Sequence, residues 1–473
     1  MRSPLSSYGA TALKERVLKI ISRMIKLLFI RNEDTSKEEK KQRSAFLCYL
    51  FHMRREEILT LLYDGFTHSI KDPLWGNIPM SSAFKALLEN KDVQKLARIK
   101  QNGPTYHIYP GSVHTRLDHS IGVYHLSRMI ILSLATKNEE LPLSRVGIMS
   151  FLASGLLHDI GHFPYAHSLK ELAIREHEEI AADMILNNSS LNEDVKKTGA
   201  DPFMSASIID KNIETDDAET ALYRMILSGP LDPDKLDYLS RDAYFSGVPY
   251  GTQNTDYIIK SLDLRDGNLV LEEEALVSIE HVLFSKYMMY RTVYWHKGVR
   301  SATAMIKKAL LSALRDKVIT YEDLYLKDDI EFSVLAERYK SYEPFILIER
   351  VEHNNLLEKK VELALDAYPR LRKMAEDLDE RMEAERMIFS ALRRKYSALK
   401  EYETIIDIPE PVNFESSMLL LRKNGEVTPI REDESVLSRE VGMVFSSVLR
   451  KLSIFLPHYV SFSDAADVLK EMF

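Results

Sequence analysis

The stretch GIMSFLASGLLHDIGHFP, residues 147–164, decides how the rest of the chain is read. Up to Leu157 it is apolar on nearly every side of a helix, so a helix over roughly 144–160 must be buried all round. Gly161 and Pro164 supply the stop that follows a helix C-terminus. At that buried end stand His158 and Asp159. An imidazole beside a carboxylate in apolar surroundings is costly unless both are paired or bind a cation. The helix C-terminus itself carries partial negative charge, which favours a cation. Neighbouring residues point about 100° apart on a helix, so the two converge on an ion only beside its end, and further ligands must come from elsewhere. Taken alone, the dipeptide also fits a buried pair that merely hydrogen-bonds.

It does not stand alone. Eight of the 14 histidines (His107, His114, His119, His125, His158, His162, His167, His177) fall within residues 107–177. An even spread would put about two there, so the enrichment marks a metal or acid/base site. His119 lies upstream in HTRLDHSIGVYH, on a second expected helix, and Asp234 downstream in GPLDPDKLDYLSRD, on a third. Two nitrogens and two oxygens suit Mn, Fe, Ni, Co or Zn, and accept Mg when phosphate oxygens contribute. His162 follows His158 by one turn, and Pro164 lets His167 return toward the same cavity. Histidines so placed donate to phosphate or move protons near neutral pH. Lys235 sets a cation beside Asp234. Asp237 and Asp242 read equally well as solvated charges on a helix face.

The surrounding chain reads as mainly α. Residues 81–103 form a helix pair ending at Gly103, and TYHIYPG (105–111) a short β-like segment. Helices are expected over 116–136, 144–160, 168–186, 219–228, 232–245 and 275–317, with long charged helices over 355–403. A small β element follows Thr404, with a hairpin at Asn424-Gly425, and a last amphipathic helix over 434–452. The organisation is an N-terminal helical extension with charged linker (1–69), a helical core (70–317), and a C-terminal helical region with the small β element (318–473).

Composition narrows the classes. The chain has 473 residues, 45% of them hydrophobic and 28% charged, which suits a globular protein with a sizeable core. A formal charge of −8 argues against a nucleic-acid coat while leaving room for a local basic pocket. The one cysteine, Cys48, excludes an internal disulfide or a Cys-rich zinc module. No run of about 18 uncharged apolar residues appears, and the expected compartment is the cytoplasm. Residues 12–31, ALKERVLKIISRMIKLLFIR, are basic and amphipathic: an ordinary docking helix, with peripheral contact to an anionic membrane as the alternative. The polar run 32–43 reads as a linker.

The order H…HD…D resembles the HD superfamily of metal-dependent phosphohydrolases. IKQNGPTYHIYPGSVHTRLDHSIGVYHL, LLHDIGHFPYAHSLKEL, HEE, LDPDKLDYLSRDAYFSG and YRTVYWHKGVRSA follow in the order seen in the deoxynucleoside triphosphate triphosphohydrolases, over roughly residues 70–310. The resemblance implies an HD-domain helical core. It implies that His119, His158, Asp159 and Asp234 ligate a divalent metal, and that Arg116, Lys235 and Tyr238 hold a triphosphate. It further implies that His162, His167 and His177 contact phosphate or handle the leaving group's proton. Gln101 and Asn102 stand where the family contacts the sugar, and Asp242 and Tyr294 where it holds the nucleoside. Two positions depart from the pattern. Lys170 replaces an acidic residue, so a relay carboxylate would have to come from Glu171 or Glu178. Asn102 replaces a leucine that senses the sugar.

The reading that follows is hydrolysis of deoxynucleoside triphosphates to nucleoside and tripolyphosphate. The same site acting on a monophosphate, a cyclic nucleotide or a nucleic-acid end is a second reading, and a non-catalytic nucleotide sensor a third. The family's habit implies a homo-oligomer, dimer or tetramer; nucleic acid is not indicated as a partner.

Overall fold

A capping box starts the helix that carries His119. Thr115 accepts from the Asp118 N–H, and the Asp118 carboxylate takes the Thr115 N–H. In the computed structural model, which describes residues 53–169, 174–365, 367–412, 418–430, 444–445 and 447–472, this helix α1 runs Arg116–Lys137. Ser144 caps α2, Arg145–Leu157, through the Gly147 N–H. The apolar run does what its composition demands. Ile148, Phe151, Leu152, Leu156 and Leu157 are fully buried, each contributing roughly 1.5–3 kcal/mol. The chain is mainly α, as expected.

α3 (His177–Asn187) packs on α4 (Pro202–Ile209), α4 and α5 (Ala218–Leu227) pack on α2, and α6 (Pro233–Ser246) packs on α1. Asp232 caps α6 with Pro233 at its first position, and Gly247 ends it in the left-handed conformation. Next come α7 (Leu276–Met289) and α8 (Lys297–Arg315). The helix Arg55–Asp64, within the range assigned from sequence to the N-terminal extension, is tied to α1: Arg55 donates to the Ala135 carbonyl and Arg128 to that of Leu62. No helix among the described residues is long and apolar enough to cross a membrane.

The strands are small. β1 (His68–Asp72) and β2 (Gly76–Met80) form a hairpin before the core. β3 (Leu262–Arg265), β4 (Asn268–Glu272), β7 (Leu419–Leu421) and β8 (Val427–Pro429) make one sheet in the order β8-β7-β4-β3. β5 (Glu358–Ala364), β6 (Ile405–Asp407) and β9 (Lys451–Leu456) make another, with β9 central. The β7–β8 turn is the expected hairpin, with Gly425 at φ +88°.

Several expected boundaries are corrected. TYHIYPG is not β-like. Pro104 opens a 3-10 turn over Gly103–His107, and the Thr105 hydroxyl donates to the Asn102 carbonyl. The pair 81–103 is two short helices, Ser82–Leu88 and Lys91–Gln94, the second tightening into a 3-10 turn that ends at Arg98. The helix expected over 168–186 begins at His177. The segment 275–317 is broken between α7 and α8 by a wide turn, Tyr290–Tyr294, in which the Trp295 N–H reaches the Tyr290 carbonyl. Residues 355–403 are not all helical, since β5 starts them and lies against β9. The range 434–452 runs into β9, and most of it lies outside the described residues, as do the segments 12–31 and 32–43 and Cys48. A last helix, Phe462–Met472, had no counterpart in the sequence reading.

Candidate active site

α2 ends at Leu157, and His158 to Gly161 form the turn that follows it. Carbonyl partners fix this turn: the Ile160 N–H bonds Leu157 and the His162 N–H bonds Asp159. Lys95, buried so that its ammonium is pushed down to about 8, donates to the Ile160 and His162 carbonyls from behind. His162 therefore meets Asp159 across the turn, with Nε2 at 3.1 Å from Oδ1, and does not share a helical face with His158.

α1, the turn and the first residues of α6 bring four side chains together. His119 Nε2 lies 2.9 Å from Asp234 Oδ1 and 3.3 Å from His158 Nε2. His158 Nε2 lies 3.5 Å from Asp159 Oδ1 and 3.7 Å from Asp234 Oδ1. Ligand atoms of His119, His158 and Asp159 all fall within 4.8 Å of one another. The other nitrogen of each ring is committed. His158 Nδ1 donates to the Gly155 carbonyl at 3.0 Å, and His119 Nδ1 to Asp237 Oδ2 at 2.8 Å. Each ring thus turns its Nε2 toward the other and toward the two carboxylates, and offers a lone pair there once a cation replaces the proton. Facing lone pairs beside carboxylates form a cation cradle, with the outer hydrogen bonds that orient metal-bound histidines. The residues fit a divalent metal.

The field points the same way. Burial opposes charge on His119, but hydrogen bonds and negative charge from Asp234 and Asp237 outweigh it and push the ring up to about 10. Burial raises the Asp159 carboxyl, yet the His162, His158 and Arg116 charges hold it well below its ordinary range. Asp234 is likewise lowered, its two histidines outweighing burial.

A cavity of about 910 Å³ opens beside the cradle. It is lined by Gln101, Asn102, Arg116, His119, His158, Asp159, His162, His177, Asp234, Lys235, Tyr238, Asp242 and Tyr294. Of the residues to which the resemblance gives a role, only His167 is not among them, its side chain being outside the described residues. Arg116 Nη1 holds Asp159 Oδ2 at 2.7 Å. Lys235 is aimed by Asp232 at 2.5 Å and by the Gly229 carbonyl at 2.8 Å. The rings of His162 and His177 stack 3.8 Å apart. Asp242 is gripped by His114 at 2.7 Å and by the Tyr294 hydroxyl at 2.5 Å. Two buried polar atoms on the wall, Gln101 Oε1 and Arg116 Nε, have no hydrogen-bond partner among the described residues. In a cavity wall such atoms point to a ligand.

Asp237 and Asp242, which read equally as solvated, are buried, Asp237 completely. Sequence reasoning also missed Trp75, Asp72 and Arg241 around Asp237, and Lys95 behind the turn. Each looks ordinary in its own stretch. Lys170 and Glu171 lie outside the described residues. Glu178 is on the cavity wall, with a carboxylate oxygen 3.0 Å from His177 Nδ1.

Residues 116–218 match the HD domain, and residues 254–448 the HD associated region. Similar curated proteins include the uncharacterized protein YwfO of Bacillus subtilis, 31% identical over 55% of this chain and 60% of that protein. The uncharacterized protein MJ1154 of Methanocaldococcus jannaschii is 29% identical over 77% of this chain and 75% of its own length. Deoxynucleoside triphosphate triphosphohydrolase SAMHD1 of Bos taurus is 25% identical over 55% of this chain and 50% of that enzyme. The matches thus span half to three quarters of these relatives. Among solved structures, a phosphohydrolase from Bacteroides thetaiotaomicron shares the fold with a TM-score of 0.65 and 23% identity, over 83% of this chain and 100% of the other. A hypothetical protein from Aquifex aeolicus does so at 0.62 and 24%, over 85% and 99%. With the cradle built by α1, the His158–Asp159 turn and α6, these matches give the chain an HD domain over residues 116–218 and a resemblance to the deoxynucleoside triphosphate triphosphohydrolases.

Proposed function

We propose that the chain is a metal-dependent phosphohydrolase that cleaves deoxynucleoside triphosphates to nucleoside and tripolyphosphate. The observation that carries this reading is the joining of the cation cradle to a cavity of about 910 Å³ that also gathers Arg116, Lys235, His162 and His177. That volume is in the range that encloses a nucleotide-sized ligand, and four donors of positive or protonatable character suit a polyphosphate. The likeness to enzymes named for this reaction supports the choice of substrate.

His119, His158, Asp159 and Asp234 would hold the divalent metal, which when bound supplies Lewis acidity toward a phosphoryl oxygen. The chain's own groups do the rest. Arg116, anchored on Asp159, and Lys235, anchored on Asp232, neutralise phosphate charge that the carboxylates would otherwise repel. The stacked His162 and His177 donate to phosphate and deliver a proton to the departing 5′ oxygen of the nucleoside. Gln101 Oε1 accepts from a sugar hydroxyl. Asp242, held rigid by His114 and Tyr294, forms the nucleoside side of the wall with Tyr238.

The test is product analysis. Purified protein loaded with Mn²⁺ is incubated with the four deoxynucleoside triphosphates, the ribonucleoside triphosphates, monophosphates and cyclic nucleotides. Nucleoside and tripolyphosphate from the deoxynucleoside triphosphates are expected. Release of only orthophosphate or pyrophosphate, or turnover confined to other nucleotides, contradicts the assignment.

A further inference from the structure

Asp237 is fully buried, and its carboxylate is saturated by three partners. Oδ2 accepts from His119 Nδ1 at 2.8 Å and Arg241 Nε at 2.8 Å. Oδ1 accepts from Arg241 Nη2 at 2.9 Å and from the indole Nε1 of Trp75 at 2.5 Å. Arg241, equally buried, turns its Nη1 to Asp72 Oδ2 at 2.8 Å. Asp72 closes the loop, because its Oδ1 takes the backbone N–H groups of Leu74 and Trp75, each at 2.8 Å. The result is a ring of Trp75, Asp237, Arg241 and Asp72 that ties the turn of the β1–β2 hairpin to His119. The space is built for it: a Cβ on Gly122 would lie 1.9 Å from Asp237 Oδ1.

A carboxylate with four donors around it has one resting orientation. Here that orientation keeps the His119 proton on Nδ1 and turns Nε2 to the cradle. Arg241 stands between two carboxylates and neutralises one of them, so the cluster keeps a negative charge that holds the His119 Nδ1 proton. The indole adds direction: without it, Oδ1 keeps only the Arg241 Nη2 bond, and the tilt of the carboxylate toward His119 is set by the Arg241 fork alone. We infer that Trp75, which lies outside the residues matched to the HD domain, is a positioning residue for the metal site, acting on His119 through Asp237. Removing the group that directly holds a metal-bound histidine typically weakens metal binding by about 10- to 100-fold. Trp75, one hydrogen bond further out, is expected at the lower end of that range.

The test uses two variants of the full chain, Trp75→Phe and Trp75→His. Both replace the indole bicycle with a single ring of similar size, so most of the loss of packing is common to them. Only histidine restores an N–H, since its Nε2 occupies the place of indole Nε1 in a five-membered ring. The readout is the Mn²⁺ dissociation constant by calorimetric titration, with melting temperature in EDTA measured alongside; neither depends on which nucleotide the protein cleaves. Phe is expected to weaken Mn²⁺ binding about tenfold or more, with His within about threefold of wild type and both melting alike in EDTA. Wild-type affinity in Trp75→Phe overturns the inference. So does equal weakening in both variants, which would make Trp75 a packing residue only.

Discussion

Gly161 gives the sharpest single-residue test of how the His158–Asp159 turn is seated. A Cβ built there would lie 2.1 Å from the His177 carbonyl oxygen, 2.7 Å from the Ala181 nitrogen and 3.0 Å from Ile180 Cβ. The first two contacts are with backbone at the start of α3 and cannot swing aside. An ordinary close approach of carbon to carbonyl oxygen is about 3.3 Å, so Gly161→Ala forces the turn and α3 apart by about 1 Å. Overpacking of this kind costs about 1–3 kcal/mol of stability. The functional cost is larger. His162 sits beside the glycine, and His177 is the residue struck. Their stacked rings share one wall of the cavity, and a misplacement of about 1 Å can cost about 100-fold in rate. Gly161→Ala is therefore expected to stay folded, to melt a few degrees lower, and to lose about two orders of magnitude in kcat for the Mn²⁺-dependent reaction. Steady-state kinetics and calorimetric melting of the same preparation decide it. An alanine variant within about threefold of wild-type kcat would refute the close-packing argument.

Other consequences follow from the same geometry. Paired substitution His158→Ala with Asp159→Ala removes half the cradle, and calorimetry should show no high-affinity Mn²⁺ site while turnover falls to background; retained turnover would point to a site elsewhere. Lys235→Met should lower kcat/KM about 10- to 100-fold, the value of a hydrogen bond to a charged group at about 1.5–3 kcal/mol, and should act mainly through KM; an unchanged KM for the triphosphate contradicts its role. Burial pushes His125 down to about 4. The unfolded chain takes up a proton near pH 6.5 while the folded ring stays neutral, so stability rises with pH between about 4 and 6.5 and is lost as pH falls through that window, by about 3 kcal/mol in all. In His125→Asn that share of the acid slope should vanish in urea melts at pH 4.5 and 7; an identical slope would dismiss the buried-neutral assignment.

What was legible in the sequence and what was not divide along physical lines. His158 and Asp159 could be found because polar groups at the end of an apolar run demand a partner, and Thr115, Ser144 and Asp232 mark helix starts by local capping chemistry. The β7–β8 hairpin was visible for the same reason, its turn being encoded by two adjacent residues. Long-range pairing left no such mark. EKKVELA carries the Lys and Glu content of an exposed helix, and becomes β5 only because β9 lies beside it. The wide turn at Tyr290–Tyr294 interrupts a continuous helical pattern without glycine or proline. Trp75 and Arg241 acquire meaning only through Asp237, far away in the chain from the indole. Asp237 itself, with charged neighbours in its own stretch, gave no sign of total burial.

Anomalous scattering from crystals grown with Mn²⁺ and a non-hydrolysable deoxynucleoside triphosphate tests the account most directly. It predicts a peak about 2 Å from His119 Nε2, His158 Nε2 and one oxygen each of Asp159 and Asp234, with the polyphosphate lying along Arg116 and Lys235. Those four side chains turned away from one another, or Mn²⁺ bound only outside the cavity, would contradict it.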